Sequence, residues 1–199
     1  MIMITQAVIT AGGRGERLRP LTDSMPKVMI PLAGKPLLEH HIEHFKKYGV
    51  KEFFLTLYYM PDKITEYFGD GSKWGVKIFY HIEDVPLGDM CGINAFKDKL
   101  DERFFFIWGD LYGEVDYSKI DRYFSQLPGA IGIERIEKRE YKPEADFVAL
   151  DETMKMVGIY PKGSVAPSRP VHRLRGSSIF TKRILTSFLR TGNSIKKSF

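Results

Sequence analysis

Apolar residues fall along this chain in two rhythms. Short dense runs stand at Gln6 to Ala11, Glu52 to Leu57, Val76 to Ile82 and Phe104 to Trp108. They are rich in β-branched and aromatic residues, and three of the four are broken off by glycine or charge, which reads as buried strands. Between them lie stretches with helical spacing. One begins at Pro36 and ends near Gly49, with Leu38, Ile42 and Phe45 three and four apart; proline suits the first helical position. Another runs from Pro61 to Phe68 and is closed by Gly69, and a third covers Ile93 to Leu100. Strand alternating with helix predicts an α/β fold: a doubly wound, largely parallel sheet with helices on both faces. Past about Ala130 the pattern turns strand-rich, at Ala130 to Glu134, Phe147 to Leu150 and Met156 to Tyr160, before a last helix around Lys182 to Leu189. With no repeat and no low-complexity linker, the expectation is a single domain over residues 1–199.

Composition narrows the class. At 199 residues and 43% apolar, the chain can bury a sizeable core, and disordered or fibrous classes are excluded. A single cysteine, Cys91, cannot form an internal disulfide. No apolar run approaches the roughly 20 residues of a membrane span. The apolar N-terminus lacks a basic leader and runs into Gly12-Gly13, so it reads as a strand rather than a signal peptide. A cytoplasmic globular protein is expected. The net charge of +5 is unevenly spread: all 25 acidic residues precede Thr153, while ten of the 30 basic ones follow Glu152. Such a tail suits phosphates. Nucleic acid is not favoured, because the basic residues are scattered and have no aromatic platform beside them.

The chemistry concentrates after the first strand, in Ala11-Gly12-Gly13-Arg14-Gly15-Glu16-Arg17-Leu18-Arg19-Pro20, then Pro26-Lys27 and Pro31-Leu32-Ala33-Gly34-Lys35-Pro36. Glycines directly after a buried strand let backbone amides approach an anion, and Arg17 and Lys27 add fixed positive charge at the same mouth. A dinucleotide fingerprint is ruled out because Leu18 stands where glycine is required. A Walker-type loop is ruled out because Pro36 follows Gly34-Lys35.

This assembly resembles the signature of the sugar-phosphate nucleotidyltransferases. Three further segments agree in order: Tyr67-Phe68-Gly69-Asp70-Gly71-Ser72 with Trp74-Gly75-Val76, close to the mannose-1-phosphate guanylyltransferase branch; Glu83 with Pro86-Leu87-Gly88; and Phe106-Ile107-Trp108-Gly109-Asp110. The resemblance implies a Rossmann-like nucleotide-diphospho-sugar transferase fold, with a nucleotide-binding part over about residues 1–130 and a sugar-binding part over about 131–199. It implies a nucleoside triphosphate lying over Ala11, Gly12, Gly13, Arg14 and Gly15, with its base against Glu83, Pro86 and Gly88. Arg17 would hold the pyrophosphate leaving group, Lys27 the α-phosphate, Asp110 a Mg²⁺ ion and Lys162 the sugar 1-phosphate. Nucleotidyl transfer by in-line attack is the implied reaction, and self-association is common among relatives.

The chain departs from that pattern in places. Pro161 replaces the acid before Lys162, and Leu174 replaces an asparagine. Asp89-Met90-Cys91-Gly92 follows Gly88 in place of Thr-Ala-Gly. Relatives supply a second metal-binding aspartate beyond the position of Phe199. These departures motivate a rival expectation, a non-catalytic nucleotide-binding module on the same fold. Other features have plainer readings. His40-His41-Ile42-Glu43-His44 spells an inverted zinc-peptidase pattern, but no third ligand is in view. His81 and His172 read as structural. Glu16 is expected to pair within its loop and Cys91 to be filler, while surface charge is the alternative reading for Arg14, Arg19 and Lys35. Asp110 could alternatively cap a helix.

Overall fold

The computed structural model describes residues 4–85, 91–113, 115–127, 132–138, 147–153, 156–160, 163, 165 and 171–185. Strands β1 (Gln6–Thr10), β4 (Glu52–Leu57), β5 (Lys77–Ile82) and β6 (Arg103–Trp108) form where the dense apolar runs predict them. They pair in parallel in the order β5-β4-β1-β6, with Ala7 opposite both Phe53 and Phe105. The succession β1, β4, β5 builds outward on one side, and β6 then joins β1 on the other. The winding therefore reverses at β1, and the crevice beyond the carboxyl ends of β1 and β6 is the place where such sheets gather ligands.

Both sheet faces are covered, which is why these strands lack a polar alternation. On one face lie α1 (Leu37–Lys46), α2 (Pro61–Phe68) and α3 (Tyr117–Phe124). Leu38, Ile42 and Phe45 of α1, Ile64 and Phe68 of α2, and Tyr117 and Phe124 of α3 pack against Ala7, Ile9, Phe53, Leu55, Phe105 and Ile107. Phe45 and Tyr117 stack at 4.3 Å. Pro36 caps α1 from one residue outside it, in a two-residue hairpin of β2 (Pro31–Leu32) with β3 (Lys35–Pro36), rather than opening the helix. The opposite face is covered by Ile93, Phe96, Leu100, Ile184 and Leu185 against Val8, Phe54, Phe104 and Phe106.

Two helical elements differ from the sequence expectation. The stretch expected to be helix at Ile93 to Leu100 is instead a 3-10 segment, Cys91–Phe96, followed by a turn. Gly92 and Asn94 are poor helix formers. Gly92 is also pressed so closely on Thr56 and Glu83 that a side chain there would collide. Helix α3 is unanticipated, since its buried positions include Asp121, which pairs with Arg103 and breaks the apolar stripe. Its signal is the cap: the Asp116 carboxylate accepts from the amides of Ser118 and Lys119 at 3.1 and 3.2 Å.

The strand-rich part joins through β10 (His172–Thr181), which runs antiparallel to β6 with Ile179 opposite Phe105. β10 also pairs with β7 (Gly132–Lys138) and with β8 (Phe147–Leu150), which in turn pairs with β9 (Met156–Tyr160). The last expected helix, near Lys182 to Leu189, falls mostly outside the described residues.

Candidate functional site

A cleft of about 900 Å³ opens at the carboxyl ends of β1, β4, β5 and β6. It is lined by the whole loop from Ala11 to Leu18, and by Lys27, Glu83 and Asp110. Thr10, Val28, Thr56, Tyr58 and Trp108 also line it and were not anticipated. Thr10, Thr56, Tyr58 and Trp108 sit at or just past strand ends, so the carboxyl-end rule applied to each strand finds them, while Val28 comes in beside Lys27 on its 3-10 turn.

The Gly-rich loop leaves the sheet after the Ala11 amide donates to Thr56 at 2.9 Å. The next amides in the fold's internal bonding are Leu18, to Gly15 at 2.8 Å, and Arg19, to Glu16. The six amides from Gly12 to Arg17 therefore have no acceptor among the described residues, an arrangement suited to an anion. Gly15 makes the fold of this loop feasible: its φ is 65°, and a Cβ would lie 2.9 Å from Thr22 Cγ2 and 3.0 Å from Lys27 Cβ. The Thr22 hydroxyl donates to the Gly15 carbonyl at 3.0 Å, and Tyr59 donates to the Thr22 carbonyl at 2.9 Å. Gly12 lies against Tyr58, which leaves no room for a larger side chain without adjustment.

The charged groups divide. Arg14 donates to the Tyr58 hydroxyl at 3.2 Å and lies over the rings of both Tyr58 and Tyr59. The Tyr58 contact pushes its guanidinium above the ordinary arginine value. Arg17 is exposed in the cleft, with no ion-pair partner among the described residues. Lys27, on a short 3-10 turn, pairs with Asp110 at 2.5 Å; Lys27 is 22% exposed and Asp110 41%. Glu16 forms no ion pair among the described residues, contrary to the expectation of a pairing within its loop. Arg19 instead pairs with Asp23, and Lys35 pairs with Glu43. Pro86, Gly88 and Lys162 lie outside the described residues, as do Asp89, Met90, Pro161 and the side chains of Cys91 and Leu174.

Asp110 caps no helix; it follows Gly109 at the end of β6. The Gly109 amide donates to Thr10 at 2.8 Å, and a Cβ on Gly109 would lie 2.6 Å from the Thr10 carbonyl oxygen. Glycine is what lets β6 close on β1 at this point. The imidazoles of α1 hold the surrounding loops. His40 Nε2 bonds the Leu32 carbonyl at 2.6 Å, His41 Nε2 that of Gly109 at 3.1 Å, and His44 Nε2 that of Val115 at 2.7 Å. Burial pushes the His41 imidazole down to about 4 from its ordinary 6.5, and the Gly109 carbonyl only partly opposes this. His41 is thus neutral at pH 7 and donates from Nε2. Among the described residues there is no group of three or more His, Cys, Asp or Glu able to hold a metal ion. Nor is any helix long and apolar enough to cross a membrane.

The family of nucleotidyl transferases matches residues 6–151, the span that builds this cleft. The chain belongs to that family. It is 32% identical over 195 residues to an N-acetylmuramate alpha-1-phosphate uridylyltransferase of Neisseria meningitidis, covering 84% of each chain. It is 38% identical over 115 residues to a D-glycero-alpha-D-manno-heptose 1-phosphate guanylyltransferase of Campylobacter jejuni, covering 58% of this chain and 52% of that one. The fold superimposes on HddC from Yersinia pseudotuberculosis, crystallised with GMP-PN, with a TM-score of 0.71 and 25% identity over 92% of this chain and 79% of that one. The fold class is thus the Rossmann-like nucleotide-diphospho-sugar transferase fold expected from the sequence.

Proposed function

We propose that this chain transfers a nucleotidyl group from a nucleoside triphosphate to a sugar 1-phosphate and releases pyrophosphate. The observation that carries this is the cradle of unpaired amides from Gly12 to Arg17, set at the winding reversal and faced by Lys27 and Asp110 across one mouth. In the reaction an oxygen of the sugar phosphate bonds to the α-phosphorus, and the bond from that phosphorus to the bridging oxygen of pyrophosphate breaks. The attacking phosphate is already ionised, so no strong base is needed, and catalysis reduces to positioning and charge neutralisation.

The chain's residues divide that work. The loop amides take the β- and γ-phosphates, and Arg17 balances the charge that builds on the departing pyrophosphate. Lys27 serves the non-bridging oxygens of the α-phosphate, and Lys162 the acceptor phosphate. Asp110 fits a magnesium ion, because an accessible lone carboxylate beside a phosphate cradle matches the way Mg²⁺ binds through one or two carboxylates plus substrate phosphates. When bound, the ion supplies Lewis-acid neutralisation of phosphate charge. Residues 1–130 are taken as the nucleotide side and 131–199 as the sugar side, in a cytoplasmic enzyme that self-associates.

The test is pyrophosphate release from a panel of triphosphates and sugar phosphates. Lys27→Ala and Asp110→Ala should each lower kcat/KM by about 10²- to 10³-fold. Wild-type turnover in both variants overturns the assignment. Triphosphate binding without turnover at any magnesium level would establish a binding module instead.

The finer reading is guanylyl transfer to mannose 1-phosphate or a related sugar phosphate, and Glu83 on the cleft wall supports it. Glu83 follows β5 and Asp110 follows β6, strands three sheet spacings or about 14 Å apart, the length scale of a nucleoside with its phosphates. The Lys27 ammonium stands at the Asp110 end, so the phosphates fall there and the base at the Glu83 end. The Glu83 carboxylate is acceptor-only, and guanine offers two adjacent donors on one edge, whereas uracil offers one donor flanked by two acceptors. Glu83→Gln should shift the ratio of GTP to UTP affinity toward UTP, and an unchanged ratio refutes the base assignment.

A further inference from the structure

We propose that His41 is a positioning residue, whose hydrogen bond to the Gly109 carbonyl holds the peptide that presents Asp110 to the cleft. The inference rests on the reading of Asp110 as the ion-holding carboxylate. The Gly109 carbonyl and the Asp110 amide share one rigid peptide plane, so a donor on that carbonyl fixes the orientation from which the Asp110 side chain departs. The preceding peptide is pinned as well, by the Gly109 amide on Thr10 at 2.8 Å. Gly109 is thus held on both edges, by β1 on one side and α1 on the other. One turn further along α1, His44 takes the Val115 carbonyl at 2.7 Å, so the two imidazoles grip both ends of the segment carrying Asp110.

His41 is only 6% exposed and neighbours the core positions Leu38, Ile42 and Phe45 on α1, where an apolar side chain would satisfy packing alone. What the imidazole adds is a donor aimed at the residue before Asp110. An error of an ångström in such a carboxylate is costly when catalysis consists of positioning.

The test uses the full chain with His41→Gln, which keeps a donor at the reach of Nε2, and His41→Asn and His41→Leu, which do not. Each variant is measured for urea stability, GTP affinity without metal, Mn²⁺ affinity of the GTP complex by electron paramagnetic resonance, and kcat. Removing the donor should weaken Mn²⁺ binding about 10- to 100-fold, as loss of a ligand-orienting partner does. Metal-free GTP affinity should stay unchanged, kcat should fall in step, and His41→Gln should restore both. Wild-type Mn²⁺ affinity and kcat in a folded His41→Leu protein would overturn the proposal. If that protein does not fold, equal Mn²⁺ affinity in the Asn and Gln variants overturns it just as well. A wild type that binds GTP but takes up no Mn²⁺ with it refutes the assignment of Asp110 rather than the role of the hydrogen bond.

Discussion

Acidification offers a direct measure of how His41 is built into the fold. Its folded value of about 4 lies below the ordinary 6.5. Between those two pH values the unfolded chain holds a proton that the folded chain does not. Unfolding then takes up that proton, so stability is full above pH 6.5 and falls as the pH drops through the window. A shift of this size is worth about 3 kcal/mol, a large share of the 5–15 kcal/mol by which domains are typically stable. The groups facing the ring act in both directions: His40 and His44 add to the lowering by burial, while the carbonyls of Gly109 and Leu111 oppose it only in part. Urea unfolding at a series of pH values reads the effect. Carboxylates also titrate toward the acid end, so the comparison is with His41→Gln, which keeps a donor but has no proton to gain. Wild type should lose about 3 kcal/mol more than the variant across the window. Parallel curves for the two proteins would refute the picture of a buried neutral imidazole.

Other substitutions probe separate parts of the argument. Gly15→Ala places a methyl within 2.9 Å of Thr22 at a φ of 65°, and should cost about 1–3 kcal/mol in urea unfolding along with much of the triphosphate affinity. Asp116→Ala removes the cap of α3 and should cost about 1 kcal/mol, with turnover nearly intact. Phe45→Ala opens the core beneath α1, where Phe45 stacks on Tyr117, and should cost about 3–5 kcal/mol, seen as a lowered urea midpoint.

The four parallel strands were legible because each is a dense apolar run, and in β1, β4 and β6 burial on both faces leaves no other pattern. The cradle drew notice because Gly12, Gly13 and Gly15 follow such a run together with Arg17 and Lys27, a combination that suits an anion, although Gly12 and Gly15 also serve close packing on Tyr58 and Thr22. Helix α3 was hidden because Asp121 occupies a buried position on its inner face, where it meets Arg103, a partner 18 residues earlier in the chain. Strand β10 was hidden because Arg173, Arg175, Ser177 and Ser178 interrupt its apolar residues. Its place in the sheet comes from β6, from which no local signal can be read. The histidines of α1 were weighed only against a zinc-site pattern, and only the packed fold shows which carbonyls they meet. Local pattern encodes elements, whereas a hydrogen bond between a helix and a distant loop is set by tertiary arrangement.

The pairing of β1 with β6 has one more consequence. Lys27 and Asp110 are separated by 83 residues, yet they meet because Thr10 stands opposite Trp108. Sliding β6 by a single residue would carry Asp110 about 3.3 Å along the strand axis and turn it toward the other side of the sheet. Gly109, wedged against the Thr10 carbonyl, would have to give way to a bulkier neighbour in that slip. Strand alignment thus works as a gauge with one accepted setting, and the same misstep that would disarm the cleft is blocked at the edge of the cleft itself.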